Sequence, residues 1–139
     1  MSRRSRGKIR RIYTIGYGDK NFEDFLKILR RLRVEILVDV RAFPTSKWPE
    51  FKKESLERTL PLQGIRYVHL PELGGYRRGG YEAFMESEEF KRGLGKVVRL
   101  ARESVTCLVC VEPNPQACHR RFIAGKLREA GWEVVHVFG

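Results

Sequence analysis

Five short segments rich in apolar and β-branched residues alternate with segments of helical periodicity along this chain of 139 residues. The apolar segments span residues 12–15, 35–41, 65–70, 105–111 and 132–138. Strict alternation with right-handed crossovers produces a parallel sheet that is covered by helices on both faces. The chain also has the length of one ordinary domain. We therefore predict a single α/β domain over residues 11–139, with a five-stranded parallel sheet and helices on both faces.

The segments between the strands carry helix signals. They span residues 22–32, 51–60, 81–102 and 114–131. Asp19 or Asn21 can cap the first helix, because both side chains accept hydrogen bonds from the free N–H groups of a first helical turn. We expect the third helical segment to be interrupted near Ser87 or around Gly93 and Gly95. The glycine-rich segment 72–81 is expected to be a mobile surface loop.

The amino-terminal segment is strongly basic. Six of the first eleven residues are Lys or Arg, no acidic residue interrupts them, and they make up about half of the net charge of +11. We expect residues 1–10 to form a basic, flexible arm outside the folded domain. Such an arm either steers anions toward the protein or is simply solvated.

Membrane insertion and ordinary secretion are not expected. No apolar run approaches the roughly 18 to 20 residues that cross a bilayer, and no apolar segment follows the basic amino terminus as in a signal peptide. The three cysteines are an odd number, which is typical of a reducing compartment in which thiols serve packing, chemistry or metal binding. These features together predict a cytoplasmic protein.

The densest group of chemically active residues follows the fourth predicted strand. Open parallel sheets bind ligands at the carboxyl ends of their strands. Asn114 and Pro115 are typical of a helix start there, which would place Cys118 in the first helical turn, where the helix field favours the thiolate. His119 would act as base or acid, and Arg120 together with Arg41 would hold an anion. The predicted catalytic set is Cys118, His119, Cys110 and Glu112.

Other interpretations of these residues stay open. From residue type alone, Cys118 could equally pack as a small apolar residue, since it lies four positions before Phe122. Cys110 ends a strand and fits a core role as well as a site role, whereas Cys107, in mid-strand, is expected in the core. Glu112 either contacts substrate or bonds local N–H groups.

Further candidates for substrate or anion binding lie at the ends of the other strands. They are Asp39, Tyr17, His69, Glu72 and Arg77. Asp39 lies inside an apolar run, so its carboxylate needs a charged or hydrogen-bonding partner. A purely structural Asp39 is at least as consistent with the sequence as a catalytic one.

Two other chemistries do not fit the spacing. A cysteine phosphatase needs an arginine six residues after its cysteine, but Cys110 reaches Gln116 and Cys118 reaches Ala124 at that offset. Structural zinc uses four ligands, commonly as paired Cys-x-x-Cys motifs, and this chain offers at most Cys110, Cys118 and His119. We predict no metal site, and no cofactor can be identified.

Four spaced motifs resemble the domain-of-unknown-function 488 family. They are Thr14–Tyr17, Val38–Pro44, Tyr67–Gly75 and the pattern Cys110-x-Glu112-x-x-Pro115-x-x-Cys118-His119-Arg120. The resemblance covers about residues 11–138 and leaves the basic arm outside. It implies a suspected enzyme whose Cys, His, Glu and Arg gather at one end of an α/β sheet, with no settled reaction. Lys52 departs from the family pattern, which usually has Asn there.

The layout is also distantly similar to rhodanese domains. In those domains one strand ends in Asp-Val-Arg and a later strand ends in Cys beside a sulfur-carrying loop, as residues 38–41 and 108–110 do here. The loop after Cys110 differs, because it contains two prolines and is longer than the short glycine-containing cradle. The similarity implies a shared architecture rather than a shared activity.

Three functional hypotheses follow. The first is a cysteine-dependent enzyme that acts on an anionic small molecule or nucleotide in the strand-end crevice. The second is a nucleic-acid-binding module that uses the basic arm and the Arg77–Arg78 loop, with Tyr17, Trp48 or Tyr76 stacking on bases. The third is a sulfur carrier with a persulfide on Cys110. The oligomeric state cannot be inferred.

Overall fold

A computed structural model describes residues 10–75 and 77–139 as an α/β domain built on one sheet. Within these residues the sheet has five strands: β1 (Arg11–Gly16), β2 (Ile36–Asp39), β3 (Arg66–His69), β4 (Thr106–Cys110) and β5 (Glu133–Val137). Their order is β3-β2-β4-β1-β5, and every adjacent pair is parallel. The predicted fold class and the five-stranded parallel sheet are therefore confirmed.

The helices are α1 (Phe22–Arg31), α2 (Lys53–Thr59), α3 (Tyr81–Phe84), α4 (Glu88–Glu103) and α5 (Arg120–Glu129). Asn21 caps α1, since its side-chain oxygen accepts from the backbone N–H of Asp24 at 2.8 Å. The expected interruption is at Ser87, which caps α4 in the same way, and α4 continues through Gly93 and Gly95. Among the described residues, no helix combines the length and the apolar character that a membrane span requires.

Helices cover both faces of the sheet because the strand side chains alternate between two hydrophobic cores. On one face, α4 and α5 pack against Val38 and Leu108. On the other face, α1 and α2 pack against Leu37 and Val109. The same alternation separates the cysteines of β4, since Cys107 belongs to the second core and Cys110 to the first.

The start of α5 differs from the prediction. Pro115–Ala117 form a single turn of 3-10 helix, in which the side chain of Asn114 accepts from the N–H of Gln116. Cys118 then adopts an extended conformation, and α5 begins only at Arg120. The N–H of Cys118 bonds back to the carbonyl of Pro115 and closes this turn. Cys118 is thus placed before the helix rather than inside its first turn.

The start of the glycine-rich segment 72–81 packs more tightly on the domain than a mobile surface loop would. Pro71–Leu73 form a 3-10 turn in which Leu73 is buried. A Cβ atom on Gly74 would lie 2.5 Å from the Cα of Ala42, so this stretch packs tightly on the loop after β2. Most of the basic arm lies outside the described residues, and Arg10 lies over the ring of Trp132 at 5.8 Å.

Gly16, at the end of β1, allows the chain to cross closely under the loop that follows β4. A Cβ atom on Gly16 would lie only 1.9 Å from the carbonyl oxygen of Glu112. No side chain can be accommodated there without moving the backbone of residues 112–113. The absence of a side chain at this position therefore fixes the path of the loop between β4 and α5.

We predict that Gly16→Ala lowers the free energy of unfolding by about 1 to 3 kcal/mol, because backbone atoms must shift to admit the methyl group. The matched control is Gly95→Ala in α4, where nothing lies within 4 Å of the added atom. This control should be stabilised by about 0.5 to 1 kcal/mol, as alanine is the better helix former. Urea denaturation measures both values, and a Gly16→Ala protein as stable as the parent would contradict the close crossing.

Candidate functional site

A cavity of about 370 Å³ opens at the carboxyl ends of β2 and β4, where the loops after these neighbouring strands face each other. Its lining consists of Arg41, Ala42, Phe43, Gly75, Cys110, Val111, Glu112, Ala117, Cys118 and His119. Five of these residues, Arg41, Cys110, Glu112, Cys118 and His119, are candidates from the sequence. The strand-end position follows from the parallel sheet, as expected for this architecture.

The two cavity cysteines are in direct contact. The Sγ atoms of Cys110 and Cys118 are 2.8 Å apart, and both residues are free thiols. Cys110 is only 3% exposed, whereas Cys118 is half-buried at the cavity wall. The more accessible sulfur of the pair therefore belongs to Cys118.

The ring of His119 is held in one tautomer beside Cys118. Its Nε2–H donates to the carbonyl oxygen of Val40 at 2.8 Å. In the neutral ring the lone pair must then lie on Nδ1, which is 3.6 Å from the Sγ of Cys118. A Cβ atom on Gly75 would lie 3.3 Å from the same Nδ1, so glycine leaves room for the ring. His119 is thus oriented to take a proton from the Cys118 thiol.

Arg120 does not line the cavity but lies buried behind the thiols, at 0% exposure. Its guanidinium donates to the Sγ of Cys110 at 2.9 Å, to the Oγ1 of Thr14 at 2.7 Å and to the carbonyl of Glu112 at 2.5 Å. Because these protein groups occupy its donors, the expected role as an anion ligand finds no support in this geometry. Arg120 instead ties together β1, β4 and the loop between β4 and α5.

Among the described residues, the buried charge of Arg120 has no carboxylate partner. Among the ion pairs between described residues, none includes Arg120. A fully buried cation requires a counter-charge, since desolvation without one is very costly. The thiol of Cys110 accepts from the Nε–H of Arg120 and contacts the thiol of Cys118, so this pair can supply the counter-charge by carrying one negative charge.

The pKa values of the two thiols move apart, as expected for coupled acids that share one proton. The hydrogen bond from Cys110 is the main cause that lowers the pKa of Cys118 to about 4, and His119 and the N–H of Arg120 lower it further. The same hydrogen bond, together with burial, raises the pKa of Cys110. Of the two, Cys118 accordingly favours the thiolate form, while the Cys110 thiol donates to it and accepts from Arg120.

Behind Arg120 lies a pair that sequence reasoning missed. The hydroxyl of Thr14 accepts from Arg120, so its proton is directed to the Nδ1 of His136, 2.6 Å away. Burial and the positive charges of Arg120 and Arg128 lower the pKa of His136, which keeps Nδ1 an acceptor. No sequence motif indicated this pair, because Thr14 and His136 meet only through the pairing of β1 with β5.

The opposite wall is held by the ion pair of Asp39 and Arg41. The carboxylate of Asp39 accepts from Nε and Nη2 of Arg41, at 2.9 and 2.6 Å, and from the hydroxyl of Tyr67 at 2.5 Å. Arg41 also donates to the hydroxyl of Tyr17. Burial and the charge of Asp39 raise the pKa of Tyr67, which keeps its hydroxyl a donor. Arg41 lines the cavity, whereas Asp39 is a buried structural partner.

Three further predicted residues lie outside the cavity lining. The Nε2–H of His69 donates to the carbonyl of Arg41, which fixes the loop after β2 from the far side. Glu72 pairs with Lys96 of α4 at 2.6 Å. Arg77 donates to the carbonyls of residues 71 and 74 and lies over the ring of Phe84. These contacts are structural, so none of the three joins the thiols.

The aromatic residues named for base stacking separate into different environments. Tyr17 is 1% exposed and stacks on Phe51 with the ring centroids 4.1 Å apart, so its face is not free for a base. Trp48 is partly exposed, with Lys47 over its ring. Tyr76 and most of the basic arm lie outside the described residues. Tyr17 is therefore not available to stack on a base.

Several lining residues could not be identified from the sequence. Phe43 is 73% exposed at the cavity mouth, and Val111 is also exposed there. In the sequence, the local signal for such a lining residue is an apolar side chain in the loop just after a strand, where it is exposed. No cluster of three or more His, Cys, Asp or Glu side chains in the described part of the chain could hold a metal ion.

Comparison with known proteins identifies the family. A family model described as "Domain of unknown function DUF488" matches residues 21–127, which include the cavity and both thiols. The chain therefore belongs to the DUF488 family. No curated protein matches the chain in a sequence search.

We predict that Asp39→Asn lowers the free energy of unfolding by about 3 to 5 kcal/mol, since it leaves the buried charge of Arg41 uncompensated. Tyr67→Phe removes one hydrogen bond to the carboxylate and should cost about 1.5 to 3 kcal/mol. Glu54→Gln, an exposed carboxylate on α2, serves as control and should change stability by less than about 0.5 kcal/mol. Denaturation curves measure the free energy of unfolding of the three variants. A structural role for Asp39 would be refuted if Asp39→Asn were as stable as Glu54→Gln.

Proposed function

We propose that the protein is a cysteine-dependent enzyme in which Cys118 is the nucleophile and His119 its proton partner. Its substrate would be an anionic small molecule or nucleotide that enters the cavity. The observation that carries this proposal is the placement of the Cys118 sulfur 3.6 Å from Nδ1 of a histidine of fixed tautomer, at the wall of a cavity. A nucleophile, a base and a group that orients the base form the arrangement typical of covalent catalysis.

The proton balance of the first step follows from the hydrogen bonds. The carbonyl of Val40 holds Nε2–H, so Nδ1 receives the proton of the Cys118 thiol. The resulting thiolate accepts from the N–H of Arg120 and from the thiol of Cys110. After attack on an electrophilic atom of the substrate, the imidazolium returns the proton to the leaving group.

The cavity supports a small substrate with a negative group. Its volume of about 370 Å³ lies in the range typical of small-molecule sites. Arg41 contributes a positive charge to the lining, although Asp39 offsets part of it. The net charge of +11 adds a long-range attraction for anions. The exposed ring of Phe43 offers an apolar contact at the entrance.

Alkylation by iodoacetamide tests the nucleophile. Between about pH 6 and about pH 9 the rate at Cys118 should change little, because its pKa of about 4 keeps the thiolate populated throughout. A thiol with the ordinary pKa of about 8.5 loses roughly tenfold in rate for each pH unit below that value. Peptide mass spectrometry after short exposures measures the rate at each cysteine.

Two variants make this test specific. Cys118→Ser should remove the fast reaction, since burial raises the pKa of Cys107 to about 12 and Cys110 is buried as well. His119→Gln keeps a donor for the carbonyl of Val40 but has no titratable nitrogen, so the alkylation profile of Cys118 should shift to higher pH. A rate at Cys118 that falls tenfold per pH unit in the parent would refute the proposal.

The substrate class is tested by comparing iodoacetate with iodoacetamide. The quantity compared is the rate of alkylation by iodoacetate divided by the rate by iodoacetamide. This ratio should be higher for Cys118 than for an uncharged small thiol in solution, and the difference should shrink at high salt. In the full chain, Gln is substituted for the basic residues Arg3, Arg4, Arg6 and Lys8. Survival of the preference in this variant would locate the attraction in the cavity, whereas its loss would assign the attraction to the arm. No preference in the parent would refute an anionic substrate.

A further inference from the structure

Cys110 is in direct contact with Cys118, although a nucleophile such as Cys118 and a base such as His119 need no second thiol. Their sulfurs are 2.8 Å apart, and a disulfide bond of about 2.05 Å needs only a further small approach. Cys107 lies on the opposite face of β4, so it cannot compete for either partner. Both sulfurs also line the cavity, which lets a ligand reach the point where they meet.

We propose that Cys118 and Cys110 form a thiol–disulfide exchange pair that reacts with small-molecule disulfides, with Cys118 as the attacking and Cys110 as the resolving cysteine. This inference rests on the proposed function, because it uses the same Cys118 nucleophile. It adds the substrate class, a low-molecular-weight disulfide, and a second reacting residue.

The exchange is balanced in two steps. In the first, the Cys118 thiolate bonds to one sulfur of the small disulfide, the original S–S bond breaks, and the leaving thiolate takes a proton from His119. In the second, the sulfur of Cys110 bonds to that of Cys118 as its proton passes to the second leaving thiolate. Two protein thiols are thereby oxidised to one disulfide while one small disulfide is reduced to two thiols, so no other oxidant is needed.

The surroundings assign the two roles. Cys118 is the more exposed sulfur, so an incoming disulfide meets it first. Cys110 is buried behind it and accepts from the Nε–H of Arg120 at 2.9 Å, a donor that stabilises negative charge on Cys110 when it attacks. A thiol placed behind the nucleophile and beside a guanidinium is suited to resolve a mixed disulfide.

The same guanidinium makes the protein disulfide easy to reduce. Arg120 is fully buried and has no carboxylate partner among the described residues. Closing the disulfide removes the thiolate that balances its charge, so the reduced form is the favoured one. Exchange pairs whose reduced form is stabilised are oxidising and readily reversible, unlike structural disulfides.

The test uses the full chain with Cys107→Ala, which leaves only the two proposed thiols. The reduced protein is exposed to a large excess of oxidised glutathione without reduced glutathione, because mass action must drive the oxidation of a pair whose reduced form is favoured. It is then quenched with N-ethylmaleimide and analysed by mass spectrometry. We expect a product that has lost two hydrogen atoms, carries no maleimide, links the peptides of Cys110 and Cys118, and is restored by dithiothreitol. A stable glutathione adduct on Cys118 without ring closure would overturn the proposal.

Variants in the same background separate the two roles. Cys110→Ala should trap glutathione on Cys118, and Cys110→Ser gives the same readout if the alanine variant folds poorly. Cys118→Ala should slow glutathione uptake by at least tenfold, because Cys110 is buried. Circular dichroism verifies that each variant is folded. Equal uptake by Cys118→Ala and the parent would overturn the assignment of the attacking cysteine.

The outcome also distinguishes this inference from the proposed function. If Cys118 is alkylated by iodoacetamide with the flat pH profile but is not oxidised by oxidised glutathione, the exchange activity is refuted and the nucleophile stands. If Cys118 reacts with neither reagent, both proposals fail.

Discussion

The site depends on one buried guanidinium. Arg120 is fully enclosed, and its donors reach a hydroxyl of β1, a thiol of β4 and a carbonyl of the loop between β4 and α5. These contacts fix the position of Cys110, and through Cys110 that of the Cys118 sulfur. Because Arg120 has no carboxylate partner among the described residues, the thiol pair is the group that can balance its charge. Arg120 thus both fixes the positions of the two cysteines and favours the negative charge on the thiol pair.

The strand order converts this local arrangement into a cavity. β4 lies between β2 and β1, so the loops after β2 and β4 emerge side by side. The first loop presents the carbonyl of Val40 to His119, and the second presents the thiols. Gly16 admits the close crossing of the second loop, while His69 supports the first from outside. A shift of the first loop would release the ring of His119 from the carbonyl that fixes its tautomer.

Much of the fold was predictable, because alternation of apolar and helical segments reports directly on burial. The position of Cys118 and His119 at the strand-end cavity was predictable as well, since both follow a buried strand. The start of α5 was not, because the 3-10 turn is closed by backbone hydrogen bonds that residue type does not specify. The anion role expected for Arg120 finds no support in the geometry for a related reason. A sequence records its charge but not that Thr14, a hundred residues away, takes one of its donors.

The two arginines near the cavity show how similar residues come to play different roles. Arg41 has a permanent partner in a carboxylate that is also bonded by Tyr67, so much of its charge is balanced and the pair serves as a wall. Arg120 faces sulfur instead, a partner whose charge depends on its chemical state. Any reaction that consumes the thiolate therefore changes the electrostatic balance of a buried cation. That cation also bonds Thr14, whose hydroxyl reaches His136 of β5. A chain of hydrogen bonds thus connects the thiols through Arg120 to the pairing of β1 with the edge strand β5.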